Sequence, residues 1–299
     1  MEHYEALAEY MKIHGVPFRE DVTGADCTTF RTGGGITLFA EPKDADAACR
    51  LLSYADKNGV PYYLIGNGSN LLIPDEGLDK LFIKLSGELC SFRMDGDILK
   101  CGAGASMAAA AKYSVSCGFM GLEWAAGIPG TVGGAVAMNA GAYGGEIKQV
   151  LSSITYYSDG CLKHIEADPD ALGYRRSDYS YPDMTVLEAE FKLLPDDGGA
   201  KERMEDYSAR RRDKQPLNYP SAGSTFKRPE GHFAGALIEG AGLKGTSVGG
   251  ACVSRKHAGF VVNTGGATTR DILELIDIVR NTVYEKYGVM LEPEVKILH

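Results

Sequence analysis

The sequence predicts a mixed α/β fold (α+β), because helical and extended hydrophobic patterns alternate along the whole chain. Neither internal repeats nor low-complexity tails interrupt this alternation. With 299 residues, of which 44% are hydrophobic, the chain can bury a substantial core, and we expect two or three domains.

The composition argues against several classes of protein. A formal charge of −9 argues against a general nucleic-acid binder, which needs a basic surface. No apolar run is long enough to span a membrane, and the acidic N-terminal segment lacks the pattern of a signal peptide. We therefore expect a cytoplasmic protein with no membrane partner.

Cysteine and histidine spacing gives no metal signature. The seven cysteines are scattered without a C-x-x-C pair, and the six histidines form neither an H-x-x-x-H nor an H-E-x-x-H pair. These patterns predict reduced thiols and no metal site.

The first part of the chain combines helices with short buried strands. The pattern predicts an amphipathic N-terminal helix and, at 44–59, a second helix that ends on glycine. Strands are expected at 60–66, 78–85 and 97–104. A helix of small residues with a glycine stop is predicted at 105–118.

The second part begins with extended segments at 152–158, 161–167 and 185–194. A shift to small polar residues at 194–202 marks the expected domain boundary. Beyond it, the pattern predicts the elements at 201–214 (helix), 232–240 (helix), 259–263 (strand), 268–288 (helix) and 289–298 (strand).

The loop "LIGNGSNLLI" suits a phosphate ligand. Gly66 and Gly68 let the backbone N–H groups point inward, and Ser69 and Asn70 add short polar side chains. The alternative is a β-hairpin turn, for which Asn-Gly is a strong signal.

The stretch from Gly121 to Glu146, "GLEWAAGIPGTVGGAVAMNAGAYGGE", contains eight glycines. A plain turn needs only one or two, and each glycine costs backbone entropy on folding. The length of the stretch therefore favours a loop that lies against a flat ligand or a pyrophosphate over a turn packed on its own domain. It lacks G-x-G-x-x-G, so a Rossmann site is not supported.

Six motifs together resemble the UDP-N-acetylenolpyruvoylglucosamine reductase family over nearly the whole chain. In chain order they are "TTFRTGG", "IGNGSNLLI", the stretch from Gly121 to Glu146, "YRRS", "AGSTFKRP" and "LEPEV". The resemblance implies a two-part FAD-binding domain of the vanillyl-alcohol-oxidase type plus a C-terminal α/β substrate-binding domain. The expected divisions are 1–85 and 86–197 for the two FAD-binding subdomains and 198–299 for the substrate-binding domain.

The resemblance also implies the chemistry. Members reduce the enolpyruvyl double bond of UDP-N-acetylglucosamine enolpyruvate to UDP-N-acetylmuramate, a peptidoglycan precursor needed for the cell wall, cell shape and division. NADPH reduces non-covalently bound FAD; hydride then passes from flavin N5 to C3 of the sugar substrate, and C2 takes a proton. We expect small-molecule substrates and a monomeric protein.

The resemblance assigns roles to individual residues. Ser224 matches the proton donor, Arg175 the arginine that binds the pyruvyl carboxylate, and Glu294 a group beside C2. The substrate-binding candidates are Tyr174, Lys227 and Arg228. The FAD-binding candidates are Arg31, Gly33, Gly66, Asn67, Gly68, Ser69, Asn70, Gly127, Ile128, Pro129, Gly130, Thr131, Gly133, Gly134, Asn139, Ala140 and Gly141.

Each catalytic candidate has an ordinary structural alternative. Ser224 follows a glycine as turn serines do, and Glu294 falls on the exposed face of an alternating strand. Arg175 could be a solvated loop charge, as we expect for Arg176, and Tyr174 could be a core tyrosine.

The chain departs from the family pattern in two respects, and it resembles the shorter form of the family. Arg228 stands where asparagine is frequent, which puts that substrate contact in doubt. The segment after Ser224 is too short for the loop whose tyrosine covers the substrate in the longer form. Two other functions stay open: a flavin oxidase on the same fold, and a non-catalytic protein that binds FAD or a nucleotide sugar.

Overall fold

The computed structural model describes residues 2–180, 182 and 184–299. Met1, the first residue of the predicted N-terminal helix, lies outside them. The chain divides into two compact units. Unit 1 comprises the chain through Glu20, Thr37–Gly66 and Lys80–Arg210; unit 2 comprises Asp21–Ile36, Asn67–Asp79 and Arg211–His299. The three-domain division at 85/86 and 197/198 stays a prediction.

In the described part of the chain, six helices fall close to the predicted positions, and two short ones, Gly24–Cys27 and Val132–Ala137, were not predicted. They are α1 Glu2–Ile13, α2 Gly24–Cys27, α3 Ala45–Asn58, α4 Met107–Ser116, α5 Val132–Ala137, α6 Ala200–Lys214, α7 Ala234–Gly240 and α8 Thr269–Tyr287. Short 3-10 helices occur at Gly87–Cys90, Glu123–Gly127, Ile147–Gln149 and Pro169–Ala171.

Among the described residues, the strands are mostly short, and the two longest, of eight residues each, lie in one sheet. The strands are β1 Phe18–Arg19, β2 Ile36–Ala40, β3 Tyr62–Leu64, β4 Leu71–Leu72, β5 Leu78–Ile83, β6 Phe92–Asp95, β7 Ile98–Gly102, β8 Phe119–Met120, β9 Gly141–Ala142, β10 Gly145–Glu146, β11 Leu151–Ser158, β12 Cys161–Glu166, β13 Leu172–Gly173, β14 Arg176–Ser177, β15 Thr185–Lys192, β16 Leu194–Pro195, β17 Ser247–Val248, β18 Ala251–Val253, β19 Val261–Asn263 and β20 Lys296–Ile297.

Local signals explain where the predicted helices begin and end. The Asp44 side chain accepts a hydrogen bond from the Ala47 N–H at the start of α3, and Gly59 ends that helix in the left-handed conformation. At α8, Thr268 and Asp271 form a capping box, and Gly288 provides the left-handed end. Both predicted helices are therefore confirmed, with their glycine stops.

Unit 1 is built around a five-stranded antiparallel sheet of order β12-β11-β15-β7-β6. A four-stranded sheet has the order β1-β2-β5-β3. The core of unit 1 includes Leu99, Ile154 and Phe191 from the larger sheet and Leu51 and Leu52 from α3.

Unit 2 packs α8 on the three-stranded sheet β17-β18-β19. The buried positions of α8 recur at helical spacing and form one face, which explains why its periodicity was readable from sequence. They are Thr269, Ile272, Leu275, Ile276, Val279 and Val283.

The structure corrects two expectations. The last strand, predicted over 289–298, is limited to Lys296–Ile297, with one isolated bridge between Phe226 and Pro293. Because proline has no N–H to donate to a neighbouring strand, Pro293 partly explains why this strand is shorter than predicted. The hairpin alternative for the loop after β3 is wrong, because β3 pairs with β5 and β4 pairs with β20, both in parallel.

Candidate functional site

Unit 1 leaves two adjacent backbone amides without a protein acceptor. Gly130 and Thr131 are both buried, and their N–H groups donate to no acceptor among residues 2–180, 182 and 184–299. The neighbouring amides are paired: Val132 donates to the carbonyl of Ala105, and Gly133 to that of Ala103, each at 2.8 Å. Buried backbone N–H groups are normally paired, so this turn fits a ligand that brings oxygen acceptors, such as a diphosphate.

Other glycines in the stretch are required by packing within unit 1. A Cβ at Gly145 would overlap the indole ring of Trp124, and one at Gly133 would lie 2.9 Å from the Cβ of Ala103. A Cβ at Gly66 would overlap the Thr131 side chain. Close packing on the unit's own chain therefore explains part of the glycine content.

Asn139 fixes the backbone that follows the glycine turn. It is buried, and its Nδ2 donates to Glu146 Oε2 at 2.9 Å and to the Gly173 carbonyl at 3.0 Å. Its Oδ1 accepts from the Lys148 N–H at 3.0 Å. Because these contacts occupy the side chain, the structure gives Asn139 a positioning role, and a contact with FAD stays a prediction.

Arg175 lies at the tip of the hairpin formed by β13 and β14. Gly173 pairs with Arg176, so Tyr174 and Arg175 form the two-residue turn. Arg175 adopts a φ of 55°, which is strained for an arginine, and its Nη2 donates to the Gly141 carbonyl at 3.0 Å. Strain of this kind is frequent at functional sites, which supports a role beyond that of a solvated charge.

The neighbours of Arg175 resolve two alternatives. Tyr174 is 55% exposed, so the alternative of a core tyrosine is wrong. The guanidinium of Arg175 lies 5.3 Å from the centre of the Tyr174 ring. Arg176 is exposed and pairs with Asp178 at 3.0 Å, which confirms its prediction as a solvated charge.

In unit 2, the loop after Gly66 also leaves backbone amides unpaired. The N–H groups of Gly68 and Ser69 donate to no acceptor in the described part of the chain, and Gly68 is buried. Gly68 has a φ of 60°, and a Cβ there would overlap the Cys27 carbonyl oxygen. The Asn70 side chain donates to the Glu294 carbonyl at 3.1 Å. These features fit the predicted phosphate loop.

The "TTFRTGG" motif packs close to the following β4 segment within unit 2. A Cβ at Gly33, where φ is 105°, would lie 2.7 Å from the Ile73 carbonyl oxygen. Arg31 is exposed, has a φ of 57°, and donates its backbone N–H to the Thr28 carbonyl at 3.2 Å. The exposed Arg31 side chain could reach a ligand, and that contact stays a prediction.

The structure brings the backbones of two catalytic candidates together. Ser224 is exposed, and the next residue, Thr225, accepts a hydrogen bond at its carbonyl from the Glu294 N–H at 2.8 Å. The Lys227 N–H donates to the Glu292 carbonyl at 2.9 Å, so the two segments run side by side.

The basic residues after Ser224 have partners within unit 2. Lys227 forms an ion pair with Glu292. The guanidinium of Arg228 lies 4.0 Å from the centre of the Phe233 ring, and Phe233 is 61% exposed. Their binding of substrate stays a prediction. Sequence reasoning missed Thr225, Glu146 and Phe233, because nothing in their local pattern signals the contacts that they make.

Comparison with known proteins decides the family. The UDP-N-acetylenolpyruvoylglucosamine reductase of Caldicellulosiruptor bescii is 41% identical over 294 residues, which cover 97% of this chain and 93% of that protein. The chain belongs to the UDP-N-acetylenolpyruvoylglucosamine reductase family.

Further matches agree with this family membership. The reductase of Agathobacter rectalis is 48% identical over 91% of this chain and 90% of its own length. The crystal structure of the Thermus caldophilus reductase covers 95% of this chain and 99% of its own, with 33% identity and a TM-score of 0.81. Family models match residues 36–163 as an FAD binding domain and 215–298 as the C-terminal domain of this reductase.

These matches confirm the fold class, namely a mixed fold with an FAD-binding domain and the family's C-terminal domain. They also confirm the prediction of an FAD-dependent oxidoreductase. In the part of the chain that the structure describes, no helix is long and apolar enough to cross a membrane. Within the same residues, no three His, Cys, Asp or Glu side chains cluster in a way that could hold a metal ion.

Replacing Asn139 with Asp tests its positioning role. The substitution removes both Nδ2 bonds and places a second carboxyl group beside Glu146. We therefore expect the free energy of unfolding at about pH 8 to fall by roughly 2–4 kcal/mol. Because protonation relieves the repulsion between two adjacent carboxyl groups, the loss should shrink as the pH falls to about 5.

Urea unfolding at both pH values measures this difference. The matched control is Asn281→Asp on the exposed side of α8, where the change should stay within about 0.5 kcal/mol. Equal behaviour of the two variants would contradict the positioning role of Asn139.

Proposed function

We propose that this chain reduces UDP-N-acetylglucosamine enolpyruvate to UDP-N-acetylmuramate, with NADPH as electron donor and non-covalently bound FAD. The observation that carries the proposal is the hydrogen bond from the Glu294 N–H to the Thr225 carbonyl, which puts Glu294 beside the Ser224 segment. Family membership supports the same substrate, because the relatives are named for it.

The unpaired amides are where FAD would be held. In unit 1 these are the N–H groups of Gly130 and Thr131, and in unit 2 those of Gly68 and Ser69. When bound, FAD supplies the redox chemistry, taking hydride from NADPH and giving it to C3 of the enolpyruvyl group. The polypeptide binds and orients the reactants, stabilises the negative charge that develops, and donates the proton.

Ser224 delivers the proton to C2. A serine hydroxyl is a weak acid, so it protonates only a strongly basic carbon that is held close and aligned, such as the enolate carbon formed on reduction. The O–H bond of Ser224 breaks as the C2–H bond forms. Because Ser224 is exposed, water can return the proton to its oxygen before the next turnover.

Arg175 binds the carboxylate of the enolpyruvyl group. Negative charge spreads into this carboxylate as C2 becomes an enolate, and a planar guanidinium can bind both of its oxygens. The bond to the Gly141 carbonyl and the strained hairpin tip fix the arginine before substrate arrives, which lowers the cost of ordering it.

Glu294 orients the reacting end of the substrate. Its backbone is fixed at both polar groups, by the N–H bond to Thr225 and by the Asn70 side chain at its carbonyl. A carboxylate held in this way can align the Ser224 hydroxyl or polarise C2. The chain would act as a monomer in the cytoplasm. Its product would serve peptidoglycan synthesis, and hence cell shape and division.

The two half-reactions separate the role of Ser224 from that of the cofactor site. In Ser224→Ala, reduction of the flavin by NADPH should be unchanged, while its reoxidation by the enolpyruvyl sugar should slow by on the order of 10²–10⁴-fold. Glu294→Gln should slow the same step.

Stopped-flow absorbance under anaerobic conditions measures both steps. Ser221→Ala is the matched control on the same loop and should leave both unchanged. Normal reoxidation in Ser224→Ala would remove this serine from catalysis, and equal damage to both steps in Glu294→Gln would give that residue a structural role.

Adjacent arginines provide a matched pair for the carboxylate contact. Arg175→Lys keeps the charge but loses the planar fork, so kcat/KM for the enolpyruvyl sugar should fall by on the order of 10–100-fold. Arg176→Lys, in an exposed ion pair, should change kcat/KM by less than about twofold. Steady-state kinetics measure kcat/KM for both variants, and equal losses would contradict the carboxylate-binding role of Arg175.

A further inference from the structure

Thr225 is held on all its polar groups. It is 1% exposed; its N–H donates to the Gly259 carbonyl at 2.9 Å, and its carbonyl accepts from the Glu294 N–H at 2.8 Å. Its side-chain Oγ1 accepts from the Val261 N–H at 2.9 Å. Thr225 directly follows Ser224, and it therefore joins this segment to two other segments of unit 2, at 259–261 and at Glu294.

The Thr225 hydroxyl provides the acceptor for the Val261 N–H in place of a backbone carbonyl. Val261 begins β19, and its buried N–H would be left without this acceptor if Thr225 lacked a hydroxyl. A buried unpaired N–H is unfavourable, and the chain can avoid it by shifting the Thr225 segment away from β19. Such a shift would displace the adjacent Ser224.

The turn before Val261 is itself fixed by polar side chains. The Gly259 N–H donates to His257 Nδ1 at 3.1 Å, and the His257 N–H donates to Ser254 Oγ at 3.3 Å. Burial lowers the pKa of His257; a backbone hydrogen bond and Glu239 oppose this shift, and the nearby cations Lys244 and Lys214 add to it. The lowered pKa favours the neutral imidazole, the form in which Nδ1 can accept the Gly259 N–H.

We propose that Thr225 is a positioning residue that holds Ser224 and Glu294 in register for protonation of C2, through its bonds to the 254–261 turn and to the Glu294 backbone. The proposal rests on the proposed function. It needs the threonine hydroxyl as an acceptor, because serine and valine both keep the backbone N–H and carbonyl at this position and only valine lacks the hydroxyl. Serine should therefore replace threonine, and valine should not.

A pair of conservative variants tests the hydroxyl. In Thr225→Val, reoxidation of the reduced flavin by the enolpyruvyl sugar should slow by on the order of tenfold or more, with reduction by NADPH unchanged. Thr225→Ser should stay within about twofold of the parent in both steps, since it keeps the acceptor. Anaerobic stopped-flow absorbance measures the two rates, and thermal unfolding measures stability.

The control is Thr282→Val, which removes a hydroxyl that donates to the Ile278 carbonyl within α8. It should leave both half-reactions unchanged. If Thr225→Val lowers the melting temperature but slows neither step, or slows both equally, the positioning role is wrong and the residue is structural.

The same experiment separates this inference from the proposed function. If Ser224→Ala slows reoxidation and Thr225→Val does not, the inference about Thr225 fails while the function stands. If Ser224→Ala also leaves reoxidation unchanged, Ser224 is not the proton donor, and if the enolpyruvyl sugar does not reoxidise the reduced flavin of the unsubstituted protein, the proposed function fails. Should Thr225→Val fold too poorly for kinetics, Thr225→Cys provides the second test, since its thiol is only a weak acceptor. It should also slow reoxidation selectively, and a rate equal to that of Thr225→Ser would overturn the proposal.

Discussion

Two buried amide hydrogens without an acceptor constrain the interpretation of unit 1. The N–H groups of Gly130 and Thr131 receive no partner from the described residues, although the next two amides are both paired. A folded chain rarely leaves such groups unsatisfied, since each costs about as much as a lost hydrogen bond. An anionic ligand with several oxygens resolves this deficit, and the FAD binding domain matched at 36–163 includes these residues.

The glycine content of this region has two causes. Gly130 belongs to the unpaired turn, whereas Gly133 and Gly145 are small because Ala103 and Trp124 pack directly against them. From sequence alone, the length of the stretch predicts contact with a ligand. The structure shows that close packing within the unit also selects glycine, and that Asn139 ties the end of the stretch to the hairpin of Arg175.

Much of the fold could be predicted because its signals are local. Asp44 and Gly59 at the ends of α3, and the apolar face of α8 with its capping box, need only nearby residues. The prediction of the final strand was wrong for the opposite reason. Alternation over 289–298 predicted one strand, but pairing depends on partners elsewhere in the chain: Lys296–Ile297 pairs with β4, whereas Pro293 forms an isolated bridge with Phe226.

The candidate site shows the same limit. Ser224, Arg175 and Glu294 were identified through a resemblance to a family, since each residue alone had an ordinary alternative. Thr225 could not be found in this way, because its importance comes from hydrogen bonds to residues more than thirty positions away. The contacts of Asn139 with Glu146 and Gly173 likewise appear only after folding.

The most direct test of the central claim is a visible absorption spectrum of the purified protein under anaerobic conditions. NADPH is added first, and UDP-N-acetylglucosamine enolpyruvate follows in the same cuvette. We predict flavin bands that bleach with NADPH and return only when the enolpyruvyl sugar is added. A colourless protein that cannot be reconstituted with FAD would contradict the flavin site, and bands that recover only on admission of oxygen would identify an oxidase instead.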